Sequence, residues 1–191
     1  DTGYIILTGT GNSMGIRSFS LQYIDSQGQR IWKNIYDYPD CEVWEGYANC
    51  LKKNEQGFSC TGILNSNSSS DIGIFLSILD NHFNLSDFVI FKYDATFKRA
   101  FNQIKTIDNY YFITGQVYDS SLDDAYMYLL KIDTMGNLIW DKRYGQRNES
   151  GEQIIETSDK NILIGGLTFS FPTTTTDEDW YLIKLDTAGN I

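Results

Sequence analysis

The sequence predicts an all-β fold built from about three and a half copies of one four-stranded unit. Two landmarks repeat along the chain and carry this prediction. Glycines close short apolar segments at spacings of 53, 53 and 51 residues, and aspartates close longer ones at spacings of 55, 53 and 53 residues. The glycines are Gly9, Gly62, Gly115 and Gly166, and the aspartates are Asp25, Asp80, Asp133 and Asp186. Two separate landmarks with one period indicate a tandem repeat.

The segments between the landmarks have the character of short strands. They are rich in β-branched and aromatic residues and are bounded by turn residues, as in segments 138–140, 153–157, 162–164 and 181–183. No segment of helical length keeps an apolar period of 3.6 residues. The aspartate landmark is followed three residues later by Gly28, Gly136 or Gly189, but by Phe83 in the second copy. Asp-x-x-Gly predicts a tight turn, because the carboxylate accepts backbone N–H groups and glycine tolerates a positive φ.

A four-stranded unit of about 53 residues is typical of a propeller blade, whereas solenoid repeats are usually shorter. We therefore expect one β-propeller region over residues 1–191, with antiparallel four-stranded blades and about 3.5 blades present. The predicted repeats are 1–45, 46–98, 99–150 and 151–191. Both ends of the sequence fall within strand or turn patterns, with no signal peptide at the start. We expect a longer parent chain with more blades, or a ring closed by self-association.

One motif also resembles a known family. The segment 133–145, with Asp133, Gly136, Trp140 and Tyr144, resembles the KxDxxGNxxWxKxYG segment of secreted bacterial β-propeller repeat proteins. The resemblance continues through 153–166 and 179–186, is weaker in the first copy and is weakest in the second. It implies the order of strands in each blade. The innermost strands end at Lys53, Thr106 and Thr157, the second strands at the glycines, and the third at the aspartates, while the outermost contain Trp32, Phe91 and Trp140.

Composition excludes several classes of function. The chain has 25 acidic and 15 basic residues, a net charge of -10 and a pI near 4.4. Binding to nucleic acid or an anionic membrane requires basic patches, so neither is expected. There is no apolar run long enough for a transmembrane helix. The single histidine, His82, lies in a predicted turn and receives no role, which weighs against a Ser-His-Asp triad and multi-histidine metal sites.

Acidic residues concentrate in the loops predicted between second and third strands. These loops would gather on one rim of the propeller, and carboxylate oxygens are the ligands that calcium prefers. The candidate metal ligands are Asp123, Asp124, Asp177 and Asp179. The favoured interpretation is solubilising loop tips without a cofactor, and a weak calcium site is the alternative.

The three cysteines leave two disulfide pairings open. Cys50 and Cys60 flank the predicted turn 54–57 and could face each other across a hairpin, whereas Cys41 and Cys50 could close a short loop. Cys50 and Cys60 are the candidate pair, and an odd count leaves one thiol over in a monomer. Three inert buried thiols are the other interpretation.

Trp44 and Tyr47 are the candidate ligand-binding residues, because they lie in an aromatic and acidic stretch without an equivalent in the other copies. Aromatic platforms are common on sugar-binding surfaces, although covering a blade edge is the simpler interpretation. We expect a non-enzymatic, extracellular or cell-surface scaffold that binds a protein or glycan. The alternatives are a glycoside hydrolase with carboxylates in the channel and a purely structural spacer.

Overall fold

The computed structural model of the chain describes residues 3–11, 17–38, 41–45, 50–66, 72–92, 96–119, 121–146, 148–170 and 178–191. Within these residues the structure contains fifteen strands and no helix, which confirms the predicted all-β class. The described part of the chain accordingly has no helix that is long and apolar enough to cross a membrane.

The strands form four antiparallel sheets that follow one another along the chain. The first sheet contains β1 (Gly3–Gly11), β2 (Arg17–Asp25) and β3 (Arg30–Tyr36). The second contains β4 (Cys41–Glu45), β5 (Lys52–Asn54), β6 (Gly57–Ser66), β7 (Ile72–Asp80) and β8 (Leu85–Lys92). The third contains β9 (Thr96–Lys105), β10 (Tyr111–Asp119), β11 (Asp124–Ile132) and β12 (Leu138–Tyr144). The fourth contains β13 (Ser150–Glu156), β14 (Ile162–Thr168) and β15 (Asp179–Leu185).

The order of strands within the sheets agrees with the order expected from the sequence. The third sheet has the order β12-β11-β10-β9, and the first and fourth sheets contain three strands each among the described residues. The second sheet differs, because the position expected for its innermost strand is divided between β4 and β5, which both pair with β6. The second and third sheets begin at Cys41 and Thr96, a few residues before the predicted repeat boundaries.

Three apolar clusters lie between successive sheets. The first includes Phe19 of the first sheet and Phe75 of the second, which stack with ring centroids 5.6 Å apart. Residues next to each other in one strand belong to different clusters: Ile113 packs in the second cluster and Phe112 in the third. This alternation is the two-residue period of a strand buried on both faces. The two inner sheets are therefore covered on both sides.

The aspartate landmark forms the same turn in all four sheets. In the third sheet, Asp133 Oδ1 accepts the backbone N–H groups of Met135 at 2.9 Å and Asn137 at 2.8 Å. Gly136 then has φ +84°, and Gly28 and Gly189 have φ +82° and +78° at the equivalent positions. The turn from each of the later sheets packs against the outermost strand of the sheet before it, as with Gly136 against Val89.

Candidate functional site

A pocket lies between the first and second sheets, where the turn that follows β7 meets β3. Its cavity volume is about 350 Å³, at the lower end of the range of about 300–1,000 Å³ that is usual for ligand pockets. The lining residues are Ile5, Tyr23, Trp32, Lys53, Phe58, Asn81 and Phe83. The size suits one ring-sized chemical group.

Four aromatic rings form a continuous series along this pocket. Tyr23 and Trp32 have centroids 6.2 Å apart, Trp32 and Phe83 4.7 Å, and Phe58 and Phe83 4.7 Å. All four side chains are half-buried, so each ring keeps part of its surface accessible. Such a wall offers flat apolar contact area, and Lys53 and Asn81 add two exposed polar side chains.

Two strands and one turn place these rings. Tyr23 in β2 pairs directly with Trp32 in β3, so both side chains lie on the same face of the first sheet. The turn carries Phe83, whose backbone N–H donates to the Asp80 carbonyl at 3.0 Å. Hydrogen bonds from the Asn84 side chain and backbone hold the pKa of Asp80 below its usual value. The Tyr36 hydroxyl donates to the Phe83 carbonyl at 2.7 Å and so docks the turn onto the first sheet.

The predicted ligand-binding pair is Trp44 and Tyr47, whose side chains the structure does not describe. Trp44 lies in β4, where its backbone pairs with Ile63, and its side chain is outside the described residues together with all of Tyr47. Their role stays a prediction. Among the described residues, the aromatic side chains that line the pocket are Tyr23, Trp32, Phe58 and Phe83.

The acidic loop residues have structural contacts of their own. Asp123 Oδ1 accepts the Tyr118 hydroxyl at 2.5 Å, and this hydrogen bond raises the pKa of Tyr118. Asp124 Oδ1 accepts the backbone N–H of Asn148 at 2.9 Å. Asp179 begins β15 opposite Thr168, and Asp177 lies outside the described residues. Within the described ranges there is no group of three His, Cys, Asp or Glu side chains that could hold a metal ion.

The cysteines of the candidate disulfide are close to each other. Cys50 Sγ and Cys60 Sγ lie 3.8 Å apart, beyond the S–S distance of about 2.05 Å in a disulfide. Both side chains are buried in the cluster between the first and second sheets, and Cys41 packs in the same cluster. Of the two pairings that the sequence leaves open, the structure brings the Cys50 and Cys60 sulfurs together.

A second, smaller pocket of about 210 Å³ lies beside Glu149. The side chain of Glu149 is buried, and Thr168 Oγ1 donates to its Oε1 at 3.1 Å. The Ser170 hydroxyl donates to the same oxygen. Burial raises the pKa of the neighbouring Tyr181, and the charge of Glu149 adds to this effect. These bonds anchor the residues after β14 to the start of β13, which gives Glu149 a structural role.

Comparison with protein families gives no matching family model, and comparison with curated proteins gives no significant match. The resemblance to secreted propeller repeats therefore stays a prediction. The candidate site rests on the geometry of the pocket between the first and second sheets.

Sequence reasoning missed this pocket although its signals are visible in the repeat. It placed Trp32 and Trp140 at equivalent positions in the outermost strands, and it noted Phe83 only as the residue that stands in place of glycine in the second copy. The informative signal is that Phe83 replaces glycine in the turn of the second copy, while the first copy keeps the tryptophan of the repeat, Trp32.

Proposed function

We propose that the chain is part of a β-propeller related to secreted bacterial repeat proteins, and that it acts as a non-enzymatic glycan-binding module on an exported or cell-surface protein. The propeller arrangement is supported by the three clusters between successive sheets and by the turns that pack on the preceding sheet. One small twisted sheet cannot bury both faces alone, so each sheet needs its neighbours.

The observation that carries the binding function is the aromatic pocket between the first and second sheets. Sugar rings have apolar C–H faces that stack on aromatic rings, and hydroxyl groups that accept and donate hydrogen bonds. The pocket presents Trp32, Phe58 and Phe83 for the first kind of contact, and Lys53 and Asn81 for the second. This combination favours a glycan over an extended protein surface as the partner.

A glycan array tests this function, with the protein labelled and the same glycans analysed for cleavage in solution. We expect a subset of glycans to bind and to remain intact. Trp32→Ala should abolish binding because it removes the central ring of the pocket. Trp180→Ala is the matched control, because this tryptophan in β15 is 88% exposed and lies outside the pocket.

Three results would contradict the proposal. Binding to no glycan would favour the structural spacer, and release of shorter sugars would favour the hydrolase. If Trp180→Ala loses binding and Trp32→Ala keeps it, the glycan does not bind in this pocket.

A further inference from the structure

Comparison of the equivalent interfaces explains why an open pocket forms between the first and second sheets. Between the third and fourth sheets, the turn 186–190 covers Trp140, and two lysines hold it there. Lys131 Nζ donates to the Thr187 carbonyl at 3.0 Å, and Lys142 Nζ donates to the Ala188 carbonyl at 2.6 Å. A Cβ on Gly189 would lie 2.9 Å from Trp140 Cη2, so this interface is closed.

The first interface keeps the tryptophan but replaces both lysines. Strand pairing places Tyr23 at the position of Lys131 and Asn34 at the position of Lys142. Tyr23 has no ammonium group, and Asn34 is much shorter than lysine. The space that the lysine side chains fill at the third–fourth interface is therefore left for a ring at position 83 and for an open cavity beside Trp32.

Phe83 occupies this space at a cost to its backbone. It has φ +62°, in the left-handed region, where the equivalent residues are Gly28, Gly136 and Gly189. A bulky side chain rarely adopts this conformation, since its Cβ comes close to the following carbonyl oxygen. Strained residues of this kind cluster at ligand-binding sites. Phe83 thus places an aromatic wall where the backbone favours glycine.

The polar side chains of the pocket indicate the charge of the ligand. Lys53 provides the only charged group among the lining residues, and its ammonium forms no ion pair within the described part of the chain. The equivalent residue at the third–fourth interface is Glu156, because both precede a turn and pair with the first residues of the next strand. The pocket therefore has a cation where the closed interface has an anion.

We propose that this pocket binds a carboxylated sugar, a uronic acid residue of an acidic glycan. The inference rests on the proposed glycan-binding function and specifies its ligand. The sugar ring stacks on Trp32 and Phe83, its hydroxyls bond to the Asn81 amide, and its carboxylate pairs with the Lys53 ammonium. An exposed ion pair contributes modestly to affinity, so the aromatic stacking supplies most of the binding and Lys53 supplies the selectivity.

The test compares three probes by saturation-transfer NMR and isothermal titration calorimetry. Methyl β-D-glucuronide carries both the ring hydroxyls and the carboxylate, methyl β-D-glucoside lacks the carboxylate, and cyclohexanecarboxylate lacks the hydroxyls. Ligand concentrations up to about 10 mM detect dissociation constants in the millimolar range. We expect the glucuronide to bind about three- to fivefold more tightly than the glucoside, the gain that one exposed ion pair gives. We also expect it to bind more tightly than cyclohexanecarboxylate, which lacks the hydroxyls that bond to Asn81.

Two variants locate the site. Phe83→Gly restores the residue of the other three turns and should weaken glucuronide binding at least tenfold while the protein stays folded. Lys53→Met should lower the affinity for the glucuronide to that of the glucoside, without changing the affinity for the glucoside. Lys160→Met is the matched control, because it removes the same charge from an exposed lysine outside the pocket.

The outcomes separate this inference from the function on which it rests. Equal affinity for glucoside and glucuronide would overturn the acidic ligand and leave glycan binding in place. Equal affinity for cyclohexanecarboxylate and the glucuronide would overturn the inference that the ligand is a sugar. If Phe83→Gly binds the glucuronide as tightly as the wild type, the ligand does not bind in this pocket. If none of the three probes binds, the inference is overturned, and the glycan array then decides whether the protein binds glycans at all.

Discussion

Two neighbouring glycines in β14 show why the repeat keeps glycine at one position. A Cβ on Gly166 would lie 1.7 Å from the carbonyl oxygen of Ser150 in β13, whereas a Cβ on Gly165 would have Leu182 Cδ1 as its nearest neighbour at 3.7 Å. The pairing register shifts beside Gly166, between Gly151 and Gln153, and this bulge brings the backbones together. Gly115 has the same environment, with its Cβ position 1.8 Å from the carbonyl oxygen of Arg99.

Alanine should destabilise the protein at only one of these two glycines. Gly166→Ala should lower the free energy of unfolding by about 2–3 kcal/mol, because a backbone oxygen cannot move without disturbing the β13–β14 ladder. Gly165→Ala should be neutral or raise it by about 0.4–1 kcal/mol, since alanine restricts the unfolded chain and has room in the folded one. Urea unfolding of both variants gives the comparison. If both variants lose the same free energy of unfolding, the glycine landmark is not explained by the lack of room for a Cβ.

At the scale of elements, a tyrosine hydroxyl contributes to the docking of a turn onto the preceding sheet. Tyr144 in β12 donates to the Gly189 carbonyl at 2.9 Å, as Tyr36 does to the Phe83 carbonyl in the first interface. Burial, with the charges of Asp186 and Asp141, raises the pKa of Tyr144 to about 12. The folded protein therefore keeps this proton at a pH where an unfolded tyrosine, with a pKa of about 10, has lost it.

Tyr144→Phe should lower the free energy of unfolding by about 1 kcal/mol at pH 8, because the Gly189 carbonyl loses the nearer of its two donors and keeps only Lys142 Nζ, at 3.2 Å. The contribution of a group with a raised pKa is complete below about pH 10 and is lost as the pH rises towards about 12. The stability difference between the wild type and Tyr144→Phe should therefore shrink from pH 8 to pH 11, as measured by urea unfolding. Tyr4→Phe is the control, because Tyr4 is 67% exposed. A difference that stays constant would contradict the role of the hydroxyl proton.

At the scale of the whole molecule, periodicity predicted the features that depend on the repeat, and missed those that depend on departures from it. The spacing of the glycines and aspartates predicted the strands around Gly115 and Asp133, because each copy must bury the same faces. It did not predict that two strands, β4 and β5, share one side of β6, or that a pocket forms at Phe83, because both features occur in one copy. A residue that departs from the repeat can be interpreted only when the sheet next to it is known. Phe83 is an example, because its role depends on Trp32 and Asn34 in the first sheet.

The second and third sheets are joined by a side chain that the repeat does not predict. Gln103 in β9 is fully buried, and its Nε2 donates to the Ser59 carbonyl at 3.1 Å, to Ser59 Oγ at 3.0 Å and to the Cys50 carbonyl at 3.3 Å. The equivalent residue in the fourth sheet is the apolar Ile154. Because the stability of a repeat array is roughly the sum of its units and its interfaces, this glutamine couples the two halves of the molecule.

Gln103→Leu should weaken that coupling, because buried carbonyls on the second sheet lose their donor, at a cost of about 1–3 kcal/mol. In native-state hydrogen exchange, the core amides of β7 and β14 should open with similar free energies in the wild type and with different ones in the variant. Gln116→Leu is the control: its side chain is half-buried in β10, and its side-chain amide forms no hydrogen bond to the described residues. If β7 and β14 lose protection equally in Gln103→Leu, the sheets unfold as one unit and the cooperativity of the molecule does not depend on this interface.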